Sequence, residues 1–223
     1  MLRRATGICL SLGLLLLIAG SLHASPLKEF NFDSTESLEE WEEKIIQGHV
    51  HYELVDEGQG AYVRAQSDSA ASGYYYKVRY SVEELPMISW QWRVSHFPDK
   101  PPPENIAEKD QDDFAARVYV IFPALLFTNS QALEYVWSET LPEGTIESSA
   151  FSGNIKIFVV QSGPGAKGEW FFEERNVYED YTAAFGRPPK ARAGAVAFMT
   201  DSDNTETLAG ASFDEIKFGY KKE

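Results

Sequence analysis

The chain has 223 residues, a length that suits one sizeable domain, and a formal net charge of −14. This surplus of acidic residues excludes a nucleic-acid-binding role and predicts repulsion from anionic lipid, because both partners need neutralising Lys and Arg. The single cysteine, Cys9, lies in an N-terminal apolar run, so the rest of the chain folds without disulfides or thiol chemistry.

The N-terminus predicts a secretory signal peptide. Arg3 and Arg4 precede an apolar run over residues 7–22, and the small residue Ala24 stands at the expected cleavage position. We assign residues 1–24 to this peptide and residues 25–223 to one periplasmic or secreted domain. An uncleaved anchor is the alternative, although the run is short for a bilayer span of about 20 residues. We expect no stable membrane insertion after cleavage.

Short segments of alternating polarity follow along the rest of the chain and predict β-strands. Clusters of Gly, Pro, Ser and Asn separate them and mark turns. The predicted strands cover residues 30–33, 52–55, 61–65, 74–78, 88–94, 113–122, 132–139, 154–161, 169–177, 193–200 and 211–220. Two connections, residues 56–60 and 162–168, are predicted as hairpin turns.

Three stretches depart from this pattern. Residues 176–185 predict a helix that Gly186 caps, and residues 34–43 predict a turn or a brief helical segment. The longest irregular stretch, residues 95–110, contains four prolines. A loop of this length in a compact domain is functional or disordered, so it is either the lid of a ligand site or a flexible arm. The whole pattern predicts an all-β fold, a two-sheet antiparallel jelly-roll β-sandwich with one short helix.

The predicted strand over residues 113–122 separates two kinds of side chain. Its apolar face carries Phe114, Ala116, Val118, Val120 and Phe122, and its other face carries Asp113, Ala115, Arg117, Tyr119 and Ile121. Residues four apart on a strand are about 13 Å apart, so each charge needs a cross-strand partner. The candidate partners are Arg93, Glu134, Glu173 and Arg175.

We interpret this polar face as a ligand-binding groove. Aromatic rings there would stack on a sugar or similar ligand while carboxylate and guanidinium groups bond to its polar atoms. The predicted ligand-binding residues are Trp90, Trp92, Asp113, Arg117, Tyr119 and Arg175. The alternative is a structural ion-pair network on a solvated sheet face.

Two groups of acidic residues are candidate calcium ligands, because calcium prefers six to eight oxygen ligands. Asp201 and Asp203 lie in an oxygen-rich stretch, residues 201–205, that follows a predicted strand. Asp33 and Asp214 form a rival position near the first and last strands. The alternative for the first group is a turn in which Asp and Asn bond to their own backbone.

Several segments resemble a bacterial secreted family known only as domain of unknown function 3047. The matching segments are residues 70–73, 88–94, 109–122, 135–137, 174–177 with 180–181, and 199–205. More loosely, the aromatic-Asp pair at residues 32–33 and the Phe-Asp-x-Ile segment at residues 213–216 resemble the ends of jelly-roll carbohydrate-binding modules with a galactose-binding-like fold. In such modules the two ends meet and commonly hold a structural calcium. The resemblance implies a family and a fold, not an activity.

No enzyme signature is present in the sequence. It has no Gly-x-Ser-x-Gly nucleophile elbow and no phosphate-binding glycine loop, and His49 and His51 have no evident third metal ligand. We therefore predict a non-catalytic domain that binds a carbohydrate or small polar ligand, and Ca²⁺ is its candidate structural cofactor. The alternatives are a polysaccharide-acting enzyme, either a glycoside hydrolase or a lyase, and a cell-envelope protein-interaction module.

Overall fold

The computed structural model describes residues 25–58 and 60–222, so the predicted signal peptide lies outside the described residues. Thirteen strands and two α-helices make up the regular structure of this part. In chain order they are β1 (Lys28–Phe30), α1 (Thr35–Glu39), β2 (Glu42–Gln47), β3 (His51–Asp56), β4 (Ala61–Asp68), β5 (Ala71–Tyr80), β6 (Met87–His96), β7 (Ala116–Phe122), β8 (Gln131–Ser138), β9 (Ile146–Ser149), β10 (Ser152–Ser162), β11 (Phe171–Asn176), α2 (Val177–Phe185), β12 (Ala193–Asp201) and β13 (Leu208–Tyr220).

The strands form two sheets, and together these make a jelly-roll β-sandwich. One sheet has the order β11-β6-β13-β4-β3, with β1 also paired to β13, and the other has the order β2-β5-β12-β7-β8-β10-β9. The prediction of an all-β sandwich is confirmed. One pair of strands differs from the antiparallel arrangement that we predicted. Strand β10 lies between β8 and β9 and runs parallel to β8.

The core lies between the sheets and follows the alternation of the strands. On β7, Val118, Val120 and Phe122 are buried against the opposite sheet. Phe114 does not continue this face as predicted, because the strand begins only at Ala116. Phe114 instead packs on the outer face of the seven-stranded sheet with Val136 and other apolar residues.

The predicted helix is confirmed as α2. The Asn176 side chain accepts a hydrogen bond from the Glu179 backbone N–H at its start, and Gly186 closes it in a left-handed conformation. No helix among the described residues is long and apolar enough to cross a membrane.

The sequence missed two strands, and one predicted turn was wrong. Strands β2 and β9 were missed, because neither buries an alternating apolar face. Residues 162–168 do not form a hairpin turn, since β10 and β11 belong to different sheets. The turn between β3 and β4 is a hairpin as expected.

The long proline-containing stretch lies across the outer face of the seven-stranded sheet, and we call residues 97–112 the covering loop. Ile106, only 3% exposed, packs from this loop against Val136, Ile157 and Val159. Its Glu104 carboxylate accepts hydrogen bonds from the hydroxyls of Ser138 and Thr140 at 2.6 and 2.9 Å. These contacts divide the outer face into a covered half and an open half.

Candidate functional site

Trp90 and Trp92 lie in the core. Both side chains of β6 are fully buried, and their rings meet edge to face at 5.3 Å. Trp90 also packs against Tyr135 and Trp92 against Trp137, so each ring is enclosed by the opposite sheet. The predicted stacking of these rings on a ligand does not fit this placement, because a ligand in solvent does not reach them.

Arg175 lies on the other sheet, away from the predicted groove. It sits on β11 and forms an ion pair with Asp180 at 2.6 Å. Although burial opposes its charge, Asp180 raises the pKa of Arg175 above its usual value. The predicted grouping of Arg175 with Arg117 on one face is therefore not found.

Arg117 is the centre of a closed ion-pair network on the covered half. Its guanidinium reaches carboxylate oxygens of Asp112 at 3.1 Å, Glu134 at 2.5 Å and Asp201 at 2.5 Å. Only about 5% of its side chain is exposed. Glu134 is one of the predicted cross-strand partners, whereas Asp201 comes from β12, 84 positions along the chain. A direct bond from Arg117 to a ligand does not fit this closed arrangement.

The network contains more carboxylates than cations, and this shifts their proton affinities. Burial raises the pKa of Glu134 to about 7, with Arg117 opposing the shift. Burial also raises the pKa of Asp201 well above its usual value. Burial works against the charge of Arg117, but the surrounding carboxylates raise its pKa. Burial thus opposes the charges of these groups, and their mutual attraction offsets that cost.

Asp113 is fully buried, and its hydrogen-bonding capacity is filled by the loop after β12. Its carboxylate accepts four hydrogen bonds, from the backbone N–H groups of Asn204 and Thr205 and from both of their side chains. Its predicted role as a ligand contact does not fit, since no acceptor site of this carboxylate faces outward.

Three carboxylates come together at this end of the sheet. Ligand oxygens of Asp113, Asp201 and Asp203 lie within 4.8 Å of one another. Burial and the charge of Asp113 raise the pKa of Asp203. The donor type suits calcium, but Asp201 already accepts bonds from Arg117 and the Phe114 N–H, and Asp113 is satisfied. A cation would have to compete with these protein donors.

Asp33 and Asp214, the rival acidic pair, also lie near each other. Burial raises the pKa of Asp214 to about 7, and the charge of Asp33 contributes to the shift. Asp33 is exposed and accepts the Ala61 N–H at 3.2 Å. The four aspartates predicted as calcium ligands thus belong to two separate places.

The open half of the outer face carries a row of residues that the sequence did not reveal. Five residues lie side by side on neighbouring strands of this sheet, each opposite the next. In order they are Glu42, Tyr75, Ala197, Tyr119 and Glu134. Only Tyr119 of this row was among the predicted ligand-binding residues. The sequence did contain one signal for Tyr75. In a strand, the middle residue of the Tyr74–Tyr75–Tyr76 run lies on the opposite face from its two neighbours.

Tyr75 and Tyr119 flank a shallow floor made by Ala197. Neighbouring strands are about 4.8 Å apart, so the two tyrosine backbones lie about 10 Å apart with β12 between them. Both tyrosines are half-buried, and Ala197 is 9% exposed. The Tyr75 hydroxyl donates to Glu42 at 2.6 Å, and Lys77 pairs with the same carboxylate at 2.6 Å. This arrangement offers two aromatic rings beside polar groups on a rigid sheet.

Gly73 brings β5 and β12 together next to this row. A Cβ at this position would lie 2.8 Å from the Phe198 carbonyl oxygen and 2.9 Å from the Met199 Cβ. A larger residue would force the strands apart, so the glycine sets the spacing between the strands that carry Tyr75 and Ala197.

A small cavity lies beneath the covering loop rather than on the open half. Its volume is about 30 Å³, and Lys100, Glu104, Asp113, Phe114 and Trp137 line it. This space accommodates a water molecule and is far too small for a sugar ring. The open half is therefore the better candidate for a ligand of that size.

Comparison of the sequence with protein families gives one match. The model of the family described as "Protein of unknown function (DUF3047)" matches residues 39–217. No curated protein sequence matches the chain significantly.

Several solved structures are distantly similar to this chain over most of its length. The family 11 carbohydrate-binding module of a cellulosomal cellulase of Clostridium thermocellum is 11% identical, with a TM-score of 0.45 over 89% of this chain and 98% of that chain. A xylan-binding CBM22-1 domain of Paenibacillus barcinonensis is 11% identical, with a TM-score of 0.44 over 90% and 98%. The xyloglucanase domain of a Sinorhizobium fredii effector is 8% identical, with a TM-score of 0.45 over 81% and 93%. Such distant likeness adds no detail to the site.

Proposed function

The chain belongs to the family described as protein of unknown function DUF3047, and we propose that it is a secreted, non-catalytic domain that binds a carbohydrate on the open half of its outer face. The observation that carries this proposal is the row Tyr75–Ala197–Tyr119 across three hydrogen-bonded strands. The predicted localisation, periplasmic or secreted, is part of the proposal.

The chemistry of the row fits a saccharide. A sugar ring has apolar C–H faces that stack on aromatic rings and hydroxyls around its edge that exchange hydrogen bonds. Tyr75 and Tyr119 supply the rings on either side of the Ala197 floor. The Glu42 carboxylate and the Lys77 ammonium lie beside Tyr75 and supply an acceptor and donors for hydroxyls.

The closed network beneath the covering loop supports the row without contacting a ligand. Tyr119 packs beside Arg117, with its hydroxyl 3.5 Å from Nη1, and Glu134 lies next to it on β8. Because that network is buried and cross-linked to three strands, it fixes β7 and therefore the position of the Tyr119 ring.

A polysaccharide-acting enzyme is the second candidate function, and the geometry supports it less well than binding. Glycoside hydrolysis needs two carboxyl groups that flank the scissile bond in an open cleft. Three carboxylates beside the row, Asp112, Glu134 and Asp201, all bind one guanidinium, have 2–4% of their side chains exposed and do not face an open cleft. Glu42 is exposed, but the Tyr75 hydroxyl and the Lys77 ammonium already bind its carboxylate.

The proposal is tested by binding of a panel of envelope and plant glycans to residues 25–223, measured by calorimetry. We expect Tyr75→Ala and Tyr119→Ala each to weaken binding about tenfold or more, because each removes one stacking ring. Phe172→Ala is the matched control, since Phe172 is 58% exposed on the other sheet. Binding that all three variants retain, or that Phe172→Ala weakens equally, would refute the site.

We also propose a structural calcium at Asp113, Asp201 and Asp203, supported by their mutual distances; it would displace some of the protein donors that now bind Asp113 and Asp201. Calcium bound only to the folded state would raise the unfolding midpoint relative to EDTA. Asp203→Asn should remove that rise, while Asp214→Asn at the rival position should leave it intact. The opposite pattern would move the site to Asp33 and Asp214.

A further inference from the structure

An apolar loop protrudes from one end of the sandwich, between β7 and β8. Residues 123–127 read Pro-Ala-Leu-Leu-Phe. Leu125 is fully exposed and Leu126 is 63% exposed, so neither side chain contributes to the core. Scattered exposed leucines are ordinary on protein surfaces, but consecutive exposed apolar residues at a loop tip indicate a contact with another surface.

A basic segment lies directly beside this apolar loop. Residues 186–194 contain Arg187, Lys190 and Arg192 and no acidic residue. The two loops touch at both of their ends. Pro123 packs so closely on Gly194 that a Cβ there would lie 2.5 Å from Pro123 Cγ, and the Arg187 guanidinium donates to Gln131 Oε1 at 2.9 Å. The basic segment, which we call the rim, therefore leaves the sandwich beside the apolar loop.

The charges of the rim are opposite in sign to the net charge of the chain. Lys190 and Arg192 are exposed, and Arg79 and Lys221 lie at the same end, because Tyr80 pairs with Ala193 and Tyr220 with Met87. Glu83 and Glu84 also lie here, in the turn between β5 and β6, and so does the exposed Glu179 in the first turn of α2, because the Val177 N–H donates to the Pro86 carbonyl. The cationic rim is therefore local, and the overall charge of −14 does not describe it.

The N-terminal side of the chain joins the domain at this end too. The Leu27 N–H donates to the carbonyl groups of Phe218 and Gly219, near the end of β13. Leu27 itself is 50% exposed.

From this juxtaposition we propose that the apolar end, residues 123–127 with the rim of Lys190 and Arg192, docks reversibly on an anionic lipid surface. The two leucines insert among the acyl chains near the headgroups, where burial of apolar area favours binding. The rim cations attract anionic headgroups, which adds about 1 kcal/mol for each Lys or Arg close to the surface. Docking in this way leaves the row with Tyr75 and Tyr119 on a lateral face, open to solvent.

The test is co-sedimentation of residues 25–223, which contain both sheets and the whole core, with lipid vesicles. One vesicle preparation is phosphatidylcholine alone. The other contains about 30% phosphatidylglycerol, an anionic lipid that gives the vesicle a negative surface potential. We expect binding to the anionic vesicles that weakens as salt is added.

Two double variants separate the contributions. L125S/L126S and K190E/R192E should each reduce binding to anionic vesicles at least about tenfold. The matched controls are Ile46→Ser, which changes another exposed apolar side chain (62% exposed), and Lys167→Glu, which changes an exposed cation in the loop between β10 and β11. Both controls should bind like the unchanged protein.

Three outcomes would overturn the proposal. They are no co-sedimentation with either vesicle, co-sedimentation that both double variants retain, and co-sedimentation that the controls lose equally. If the leucine variant instead abolishes a concentration-dependent increase in mass without any lipid binding, the loop mediates self-association and the lipid proposal fails. The glycan measurements use other residues, so either proposal can fail alone.

Discussion

The two halves of the outer face show opposite uses of polar side chains on one sheet. On the covered half, Arg117 and its carboxylates are buried and bonded to one another, and the Phe114 ring lies 4.9 Å from Arg117 Cζ. On the open half, Tyr75 and Lys77 reach solvent and share only Glu42. Strands β7 and β12 contribute to both halves. Polar residues on a sheet face therefore signal a binding site only where nothing packs over them.

The largest expected change in the free energy of unfolding comes from replacing Arg117, the centre of the network on the covered half. Arg117→Met should destabilise the domain by about 3–5 kcal/mol, because it leaves Asp112, Glu134 and Asp201 buried without their cation. Denaturant unfolding monitored by tryptophan fluorescence measures this. Arg79→Met, at an exposed position of β5, is the control and should change stability by less than about 0.5 kcal/mol. Equal effects of the two variants would show that the network adds nothing to stability.

The next largest effect comes from loosening the covering loop. Ile106→Ala should cost about 2–4 kcal/mol, since it removes buried methylene groups from the cluster with Val136 and Ile157. Hydrogen exchange should accelerate within residues 97–112. The control is Ile46→Ala, whose side chain is 62% exposed. Unchanged exchange in the variant would mean that the polar anchors at Glu104 suffice to hold the loop.

Glu134, at the boundary between the halves, should make stability depend on pH. Burial raises its pKa to about 7 in the folded protein, above the ordinary value of 4.5. Its stabilising contribution is therefore complete below about pH 4.5 and is lost as pH rises through about 7. Glu134→Gln should flatten this decline, by on the order of 1 kcal/mol over the window. Unfolding midpoints from pH 4 to 8 test this, and a decline as steep as in the unchanged protein would contradict it.

The smallest stability effect is expected on the open half. Tyr75→Ala should change the free energy of unfolding by less than about 1 kcal/mol, because the ring is half-buried and its hydroxyl bonds to an exposed carboxylate. The same variant should lose glycan binding. A large loss of stability would show that Tyr75 packs as part of the structure, and the contrast between the halves would disappear.

The fold was predictable because its signals are local. The alternation of Val118, Val120 and Phe122 gave the core face of β7, and Asn176 with Gly186 marked the ends of α2. What alternation does not give is which face of a strand is covered. Trp90 and Trp92 share a face with Val94, and that face is the core, so residues predicted to meet a ligand meet the opposite sheet instead.

The site was less predictable because its partners are far apart along the chain. Arg117 and Asp201 are separated by 84 positions, and only strand order brings them together. The row with Tyr75 and Ala197 depends on register across three strands, which no single segment contains. The covering loop was recognised as unusual, yet its position over Val136 and Ile157 follows from the packed structure alone.

The pairing of the first strand with the last has a consequence for the order of folding. Lys28 lies opposite Phe218 and Phe30 opposite Ile216, while β13 also joins β4 to β6 in the middle of its sheet. That sheet cannot assemble on a partly synthesised chain, because its central strand comes last. Closing such long-range pairs delays the rate-limiting step, so folding is expected on the millisecond-to-second scale rather than faster. Without β13, the pair β11-β6 and the pair β4-β3 have no strand that joins them, so this one strand decides when the sheet becomes continuous.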